Sequence, residues 1–323
     1  MIVLVNGIGN IGTTLLNLLV NYQNELKVTE IYGHKRHIQE WENQEIQLLQ
    51  QKGVKICTST PGDGLEQLEQ VLKKVNYIFE TTENGVGLQN KERYNRLTEL
   101  VGCSAQGSEK GFGTSFMSGV NNEIIEGEKF VHIVSCNTHG SAALIKTLAG
   151  NDLANLEKAD MVVVRRSEDI GNHRRLVSAN VVARHLDSSA GTHHAVDVID
   201  LFQTIGRDLE ITSSDITTPS QLMHGLRFAI SLKKLNREVI QKQINENPYI
   251  ASSKKFDSNI IFEMGRRYGF NGRIYSHAIV LTGNYYLLKR QLKDGLLSLK
   301  KEIRSFLPFM LFYCKQIIPK PKR

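Results

Sequence analysis

Ile2 to Val5 form a short apolar run, Asn6 to Gly12 is rich in glycine, and Leu15, Leu16, Leu18 and Leu19 follow before the chain turns polar at Asn21. That order predicts a strand, a tight turn and an amphipathic helix. A second strand over Lys27 to Tyr32 completes a βαβ unit of about the usual size. The alternation continues with strands near Gly53 to Cys57, Tyr77 to Thr81 and Phe130 to Ser135, and helices near Leu65 to Lys74 and Asn90 to Leu100. Such alternation implies a mostly parallel sheet covered by helices. Beyond Ala159 the pattern changes to strand-like stretches at Met161 to Arg166, Leu209 to Thr212, Leu226 to Leu232 and Ile274 to Leu288, with two short helices between Arg237 and Gly269. Consecutive strands suit a mainly antiparallel sheet. The expected fold class is therefore α/β, with a first domain over residues 1–135 and a second over 136–295. A last helix, Leu296 to Phe306, is expected to carry residues 296–323 back to the first domain.

The chain has 323 residues, 41% of them apolar, enough for about two buried cores. With 26 Gly and 6 Pro it has neither a disordered nor a collagen-like bias. No apolar run approaches the ~20 residues of a membrane-spanning helix, and the nearest, Phe306 to Cys314, is broken by Pro308. The N-terminus opens straight into its first apolar run, with no basic leader and no small-residue cleavage site. A cytoplasmic protein with no membrane partner is expected. Cys57, Cys103, Cys136 and Cys314 make neither a disulfide framework nor a Cys-x-x-Cys pair, so no metal is expected. The net charge of +7 is scattered apart from short clusters and the tail from Lys315 to Arg323, and no nucleic-acid recognition motif accompanies it. The charge suits a protein that handles anionic phosphate compounds.

Gly7-Ile8-Gly9-Asn10-Ile11-Gly12 stands between the first strand and the first helix. Glycines there permit the tight turn and let the main chain approach a pyrophosphate, which faces the helix N-terminus. This is the signature of a Rossmann-type dinucleotide-binding domain. Strand two then runs into Gly33-His34-Lys35-Arg36, and the only nearby acid, Glu30, lies inside the strand. Lys35 and Arg36 suit the ribose 2′-phosphate, so NADP is favoured over NAD, although a solvated basic turn has the same sequence. In Val134-Ser135-Cys136-Asn137-Thr138-His139-Gly140 a cysteine sits where a strand ends and a helix of small residues begins. A helix N-terminus stabilises a thiolate, which makes Cys136 a candidate nucleophile. Taken alone, the same residues also suit a buried structural cysteine. Arg165-Arg166 could hold phosphate oxygens in guanidinium forks or be solvated at a strand end. His193 and His194, adjacent on an extended chain, would point to opposite sides, which argues against a metal site and leaves substrate contacts or a capped loop.

Ser135 to Gly140 resembles the Ser-Cys-Asn-Thr-x-Gly motif of the archaeal-type glyceraldehyde-3-phosphate dehydrogenase family. Other blocks follow that family's order: Val5 to Gly12, Thr81 to Gly87 with Asn90-Lys91, Gln106 to Lys110, Val164 to Arg166, His193 to Val198, and Pro219 to His224. The likeness spans about Ile2 to Leu288. The resemblance implies a phosphorylating aldehyde dehydrogenase that uses NADP or NAD, a small phosphorylated aldehyde and inorganic phosphate, and that assembles as a homotetramer. Cys136 would attack the aldehyde, and His224 would take the thiol proton and assist the tetrahedral intermediates. Thr82 and Gly107 would join Gly7, Gly9, Asn10, Ile11 and Gly12 around the dinucleotide. Ser135, Asn137, Thr138, Arg165, Arg166, His193 and His194 would contact substrate or phosphate. The chain departs from the pattern at His139, at Ser141 to Ala143, at Glu83-Asn84 and at Ser167-Glu168-Asp169, and residues 170–190 fit poorly. These departures leave open a related aldehyde, a semialdehyde dehydrogenase or acyl-phosphate reductase, and a non-catalytic dinucleotide-binding protein.

Overall fold

The computed structural model describes residues 1–62, 64–107, 109–167, 186–187, 189–219, 222–234, 236–254, 257–268, 276–281, 286–289 and 303–312. They fall into two compact units, the first holding Met1–Phe116 and Glu123–Val134, the second Met117–Asn122 and the chain from Ser135 through the last strand.

In the first unit the elements are β1 (Ile2–Asn6), α1 (Asn10–Asn21), β2 (Glu30–Lys35), α2 (Asn43–Gln51), β3 (Lys55–Thr58), β4 (Glu66–Gln67), α3 (Leu68–Leu72), β5 (Tyr77–Glu80), α4 (Val86–Asn95), β6 (Gly102–Gln106), β7 (Thr114–Phe116) and β8 (Phe130–Ile133). The strands form one sheet in the order β4-β3-β2-β1-β5-β6-β8-β7. Every pairing in it is parallel. Successive residues of β1 serve opposite faces: Val3 and Val5 pack with Leu15, Leu16 and Leu19 of α1, while Leu4 packs with Val71, Leu72 and Tyr94. Both faces are thus covered, as parallel sheets require. The sheet order reverses at β1, which has β2 on one side and β5 on the other, and the carboxyl end of such a strand is where an open α/β sheet offers its crevice.

Beneath that end lies a buried polar network. Glu80, 2% exposed, accepts hydrogen bonds from Asn6 Nδ2 (2.8 Å), Tyr94 Oη (2.5 Å) and Asn90 Nδ2 (3.3 Å). His34 continues it, with Nδ1 against Asn6 Oδ1 at 2.5 Å and Nε2 against Ser59 Oγ at 2.9 Å. Burial pushes the His34 ring down from its ordinary 6.5 to about 4, and the Arg93 and Arg36 charges push the same way. The unfolded chain therefore takes up a proton that the folded chain refuses. Stability is greatest above pH 6.5 and is lost as pH falls toward 4, by about 3 kcal/mol. Unfolding followed over that range should show a shallower pH slope in His34→Gln than in wild type; equal slopes would remove His34 from the explanation.

The second unit contains α5 (Cys136–Ala149), β9 (Leu156–Arg166), β10 (Leu186–Asp187), β11 (Gly191–Thr192), α6 (His193–Gln203), β12 (Ile211–Thr218), β13 (His224–Leu232), α7 (Arg237–Glu246), β14 (Ile250–Ser253), α8 (Ser258–Tyr268), β15 (Ala278–Leu281), β16 (Tyr286–Lys289) and β17 (Ile303–Phe312). Its main sheet runs β12-β9-β13-β17-β15-β14, with β16 also on β17. The central pairings are antiparallel, and the two edge pairings, β12 with β9 and β14 with β15, are parallel. Parallel neighbours need a crossover, and α6 and α8 supply it. The expected α/β class is borne out.

The closing helix expected over Leu296 to Phe306 is corrected where the structure describes it. Ile303–Phe312 is a strand between β13 and β15 in the second unit's sheet, rather than the end of a helix. The run Ile-Arg-Ser-Phe-Leu-Pro-Phe-Met-Leu-Phe is rich in aromatic and branched residues that favour strands, and Pro308 falls where the register against β13 slips, a place that tolerates a missing N–H. Residues 296–302 lie outside the described residues.

Candidate functional site

At the end of β1 the chain turns so tightly that side chains have no room. A Cβ at Gly7, which has φ +111°, would meet Thr81 and Thr82 main-chain atoms at 2.9 Å, and one at Gly12 would lie 1.9 Å from the Gly7 carbonyl oxygen. The turn is tied to β2 by the Gly7 and Ile8 N–H groups, both donating to the His34 carbonyl, and to the end of β5 by Thr81 Oγ1, which donates to the Gly7 carbonyl at 2.7 Å. Gly9 differs: a Cβ there would meet nothing within 4 Å. Gly9 is the N-cap of α1, no side chain caps that helix, and its first turn, from Asn10 and Ile11, holds no acid. Open space over the N-terminus of a helix fits a dinucleotide pyrophosphate. Thr82 follows β5, with Oγ1 donating to Glu80 at 2.5 Å, and Gly107 follows β6 at φ +75°. Both therefore lie at carboxyl ends of strands on the far side of the switch point.

Several motif residues have structural work of their own. Glu109, 4% exposed, accepts from the Gly85 and Leu88 N–H groups and so caps α4. Lys91 donates to the Gly111 carbonyl at 2.9 Å. Lys35, expected at a ribose phosphate, instead donates to the Ile8 carbonyl at 3.2 Å and pairs with Glu42. Arg36 is exposed.

In the second unit Ser135 caps α5, accepting from the Thr138 N–H at 3.4 Å, and Cys136 is the first residue of that helix. Cys136 is partly exposed, whereas Cys57 and Cys103 are buried. Burial pushes the Cys57 thiol up to about 12, and it raises Cys103 strongly as well. Cys314 lies outside the described residues. Thr138 is fully buried at 0% exposure and its Oγ1 meets Ser135 Oγ at 3.0 Å, which gives it a part in the cap of α5. His139 turns Nδ1 to the Ser135 carbonyl at 3.0 Å and stacks on His277, 4.9 Å between ring centres.

His193 and His194 are corrected too. They open α6 rather than lying on an extended chain, and their rings are 4.0 Å apart on the same side. His194 Nδ1 lies 3.5 Å from Asn137 Nδ2, beside the cysteine, and its Nε2 lies 3.7 Å from Asp215 Oδ2. Arg165 NH1 reaches the same carboxylate oxygen at 3.4 Å. Asp215 has a side chain 1% exposed, and the sequence reading missed it. Its signal was a carboxylate sharing one strand face with Ile211 and Ser213, all three buried. Next along β9, the Arg166 N–H donates to His224 Nδ1 at 3.2 Å. An amide N–H only donates, so the neutral His224 ring carries its proton on Nε2 and presents a donor there. The helix bearing Cys136 packs against β13, which His224 opens. Ser135, Cys136, Asn137, Arg165, Arg166, His193, His194 and His224 thus sit on elements that pack together or are joined by these contacts. Among the described residues no group of His, Cys, Asp and Glu could hold a metal ion, and no helix is long and apolar enough to cross a membrane.

No family model matches the chain. It is similar to glyceraldehyde-3-phosphate dehydrogenases of archaea. That of Methanobacterium bryantii is 30% identical over 187 residues, 56% of this chain and 52% of that protein. That of Sulfurisphaera tokodaii is 29% identical over 220 residues, 64% of this chain and 61% of the relative. That of Saccharolobus solfataricus is 27% identical over 278 residues, 81% and 76% respectively. The chain thus spans between about half and three quarters of the length of these relatives. They support the resemblance to the archaeal-type family.

Proposed function

We propose that this relative of the archaeal-type glyceraldehyde-3-phosphate dehydrogenases oxidises a small phosphorylated aldehyde through a thioester on Cys136, with a nicotinamide dinucleotide in the first unit and inorganic phosphate as co-substrate. The observation that carries this reading is Cys136 itself: a partly exposed thiol on the first turn of a 14-residue helix, in a chain whose other described cysteines are buried. The helix amides favour the thiolate. Its sulfur adds to the aldehyde carbon, and the carbonyl electron pair moves onto oxygen. His224, with Nδ1 held by the Arg166 N–H, donates from Nε2 to that oxyanion. In this proposal Nδ1 of His224 is taken by the Arg166 N–H, so the ring works through Nε2. When bound, the nicotinamide ring supplies the hydride acceptor. The acyl group is then left on sulfur; a phosphate oxygen attacks its carbon, the C–S bond breaks, the thiolate returns and the phosphate proton passes to solvent. Assembly as a homotetramer and a cytoplasmic setting belong to the same proposal and rest on the resemblance.

Arg165 and Arg166 are proposed to anchor the substrate phosphate. Asp215 holds one edge of the Arg165 guanidinium and so orients its fork. Truncating Arg165 to Ala would strand a buried carboxylate, whereas Arg165→Lys keeps a charge there and loses only the planar fork. Arg165→Lys is expected to lower kcat/KM for a phosphorylated aldehyde about tenfold and to leave its unphosphorylated analogue unchanged. Steady-state assays of both aldehydes, with and without inorganic phosphate, check this. Equal losses, with no acceleration by phosphate, would move the assignment to a dehydrogenase of unphosphorylated aldehydes.

A further inference from the structure

The carboxyl end of β2 carries a charge arrangement that its sequence hides. Lys35, the last residue of the strand, folds its ammonium group back onto the glycine turn, where Nζ donates to the Ile8 carbonyl at 3.2 Å and to Oε1 of Glu42. Both side chains are only 21% exposed. Glu42 closes the short 3-10 turn Glu40–Glu42, and its Oε2 accepts the Gln39 N–H at 3.0 Å. Burial pushes the Glu42 carboxyl up, but the bonds from Lys35 and from the Gln39 amide prevail and hold it below its ordinary value. Lys35 therefore already has an anionic partner, and a fixed carboxylate stands beside the glycine turn. Arg36 alone of the basic pair is exposed, while its carbonyl accepts from Thr58 and Thr60.

In a sheet of this topology the adenosine ribose of a dinucleotide held at the glycine turn reaches the end of β2. A ribose with free 2′ and 3′ hydroxyls donates well to a carboxylate, whereas a 2′-phosphate meets repulsion from it and finds Lys35 occupied. Building on the proposed dinucleotide site, we infer that Glu42 is the specificity-determining residue for the cofactor, and that its pairing with Lys35 makes the protein take NAD at least as tightly as NADP. This reverses the NADP preference expected from Lys35 and Arg36.

The test is calorimetric titration of the full chain with NAD and with NADP. A second signal comes from Trp41, the only tryptophan of the chain, which lies between Glu40 and Glu42 and is 79% exposed, so a ligand at this edge should change its fluorescence. Wild type should bind NADP no more tightly than NAD. Glu42→Gln removes the repulsion and frees Lys35, and should shift the affinity ratio toward NADP by about tenfold. Lys35→Met leaves Glu42 without its counter-ion and should shift the ratio further toward NAD. A wild-type preference for NADP of tenfold or more, or a ratio that Glu42→Gln leaves unchanged, overturns the inference while leaving the dinucleotide site intact. Binding of neither dinucleotide overturns both.

Discussion

Cys136→Ser is expected to reduce dehydrogenase turnover by at least about 10³-fold, because a serine hydroxyl at the same helix terminus stays protonated and cannot form the thioester. Dinucleotide affinity should not change, since the glycine turn is built wholly from the first unit. Alkylation should follow the same logic. Cys57 is 0% exposed with its thiol pushed up to about 12, and Cys103 is equally buried, so neither offers a thiolate near neutral pH. One equivalent of iodoacetamide should label Cys136 and remove activity, as peptide mapping and residual rate would show together. Full activity in Cys136→Ser would end the thioester account.

The second large effect belongs to His224. His224→Asn should lower kcat by roughly 10²–10⁴-fold, the usual cost of losing one positioned proton donor or acceptor. The substitution also strips the Arg166 N–H of the acceptor it has in Nδ1, which costs about 1–3 kcal/mol of stability. Melting and rate must therefore be measured separately. A lower melting temperature with a rate within tenfold of wild type would make His224 a strand cap only, and would pass the donor role to His194. If His224 acts as proposed, the loss falls on kcat with phosphorylated and unphosphorylated aldehydes alike, which separates it from Arg165.

Much of the first unit was legible because β1, α1 and β2 alternate period-two and helical runs around glycines, and the packed α1 leucines are the ones the pattern picked out. α2 was not, since Asn-Gln-Glu-Ile-Gln-Leu-Leu-Gln-Gln buries only Ile46 and Leu49, too few to stand out as a stripe. β6 was hidden for the opposite reason: Gly-Cys-Ser-Ala-Gln has little strand propensity, yet four of its five residues are buried within a parallel sheet, where neighbours decide. At the site, glycines and the cysteine announce themselves by position, because few residue types suit a tight turn or a thiolate. Glu42 and Asp215 do not, because a single acid in a polar stretch reads as solvated until tertiary contact supplies its basic partner. The adjacent histidines misled because their helix begins at the first of them, and its N-cap Thr192 makes no side-chain cap bond and no acid stands in its first turn.

The most direct test of the thioester on Cys136 is a single-turnover experiment with inorganic phosphate left out. The protein, saturated with oxidised dinucleotide, is mixed rapidly with a phosphorylated aldehyde while dinucleotide reduction is followed optically, and a quenched sample is mapped by mass spectrometry. A thioester on Cys136 predicts a burst of one reduced dinucleotide per Cys136, an acyl group on that residue, and multiple turnovers only after phosphate is added. Steady turnover without phosphate, no burst and an unmodified Cys136 would contradict it.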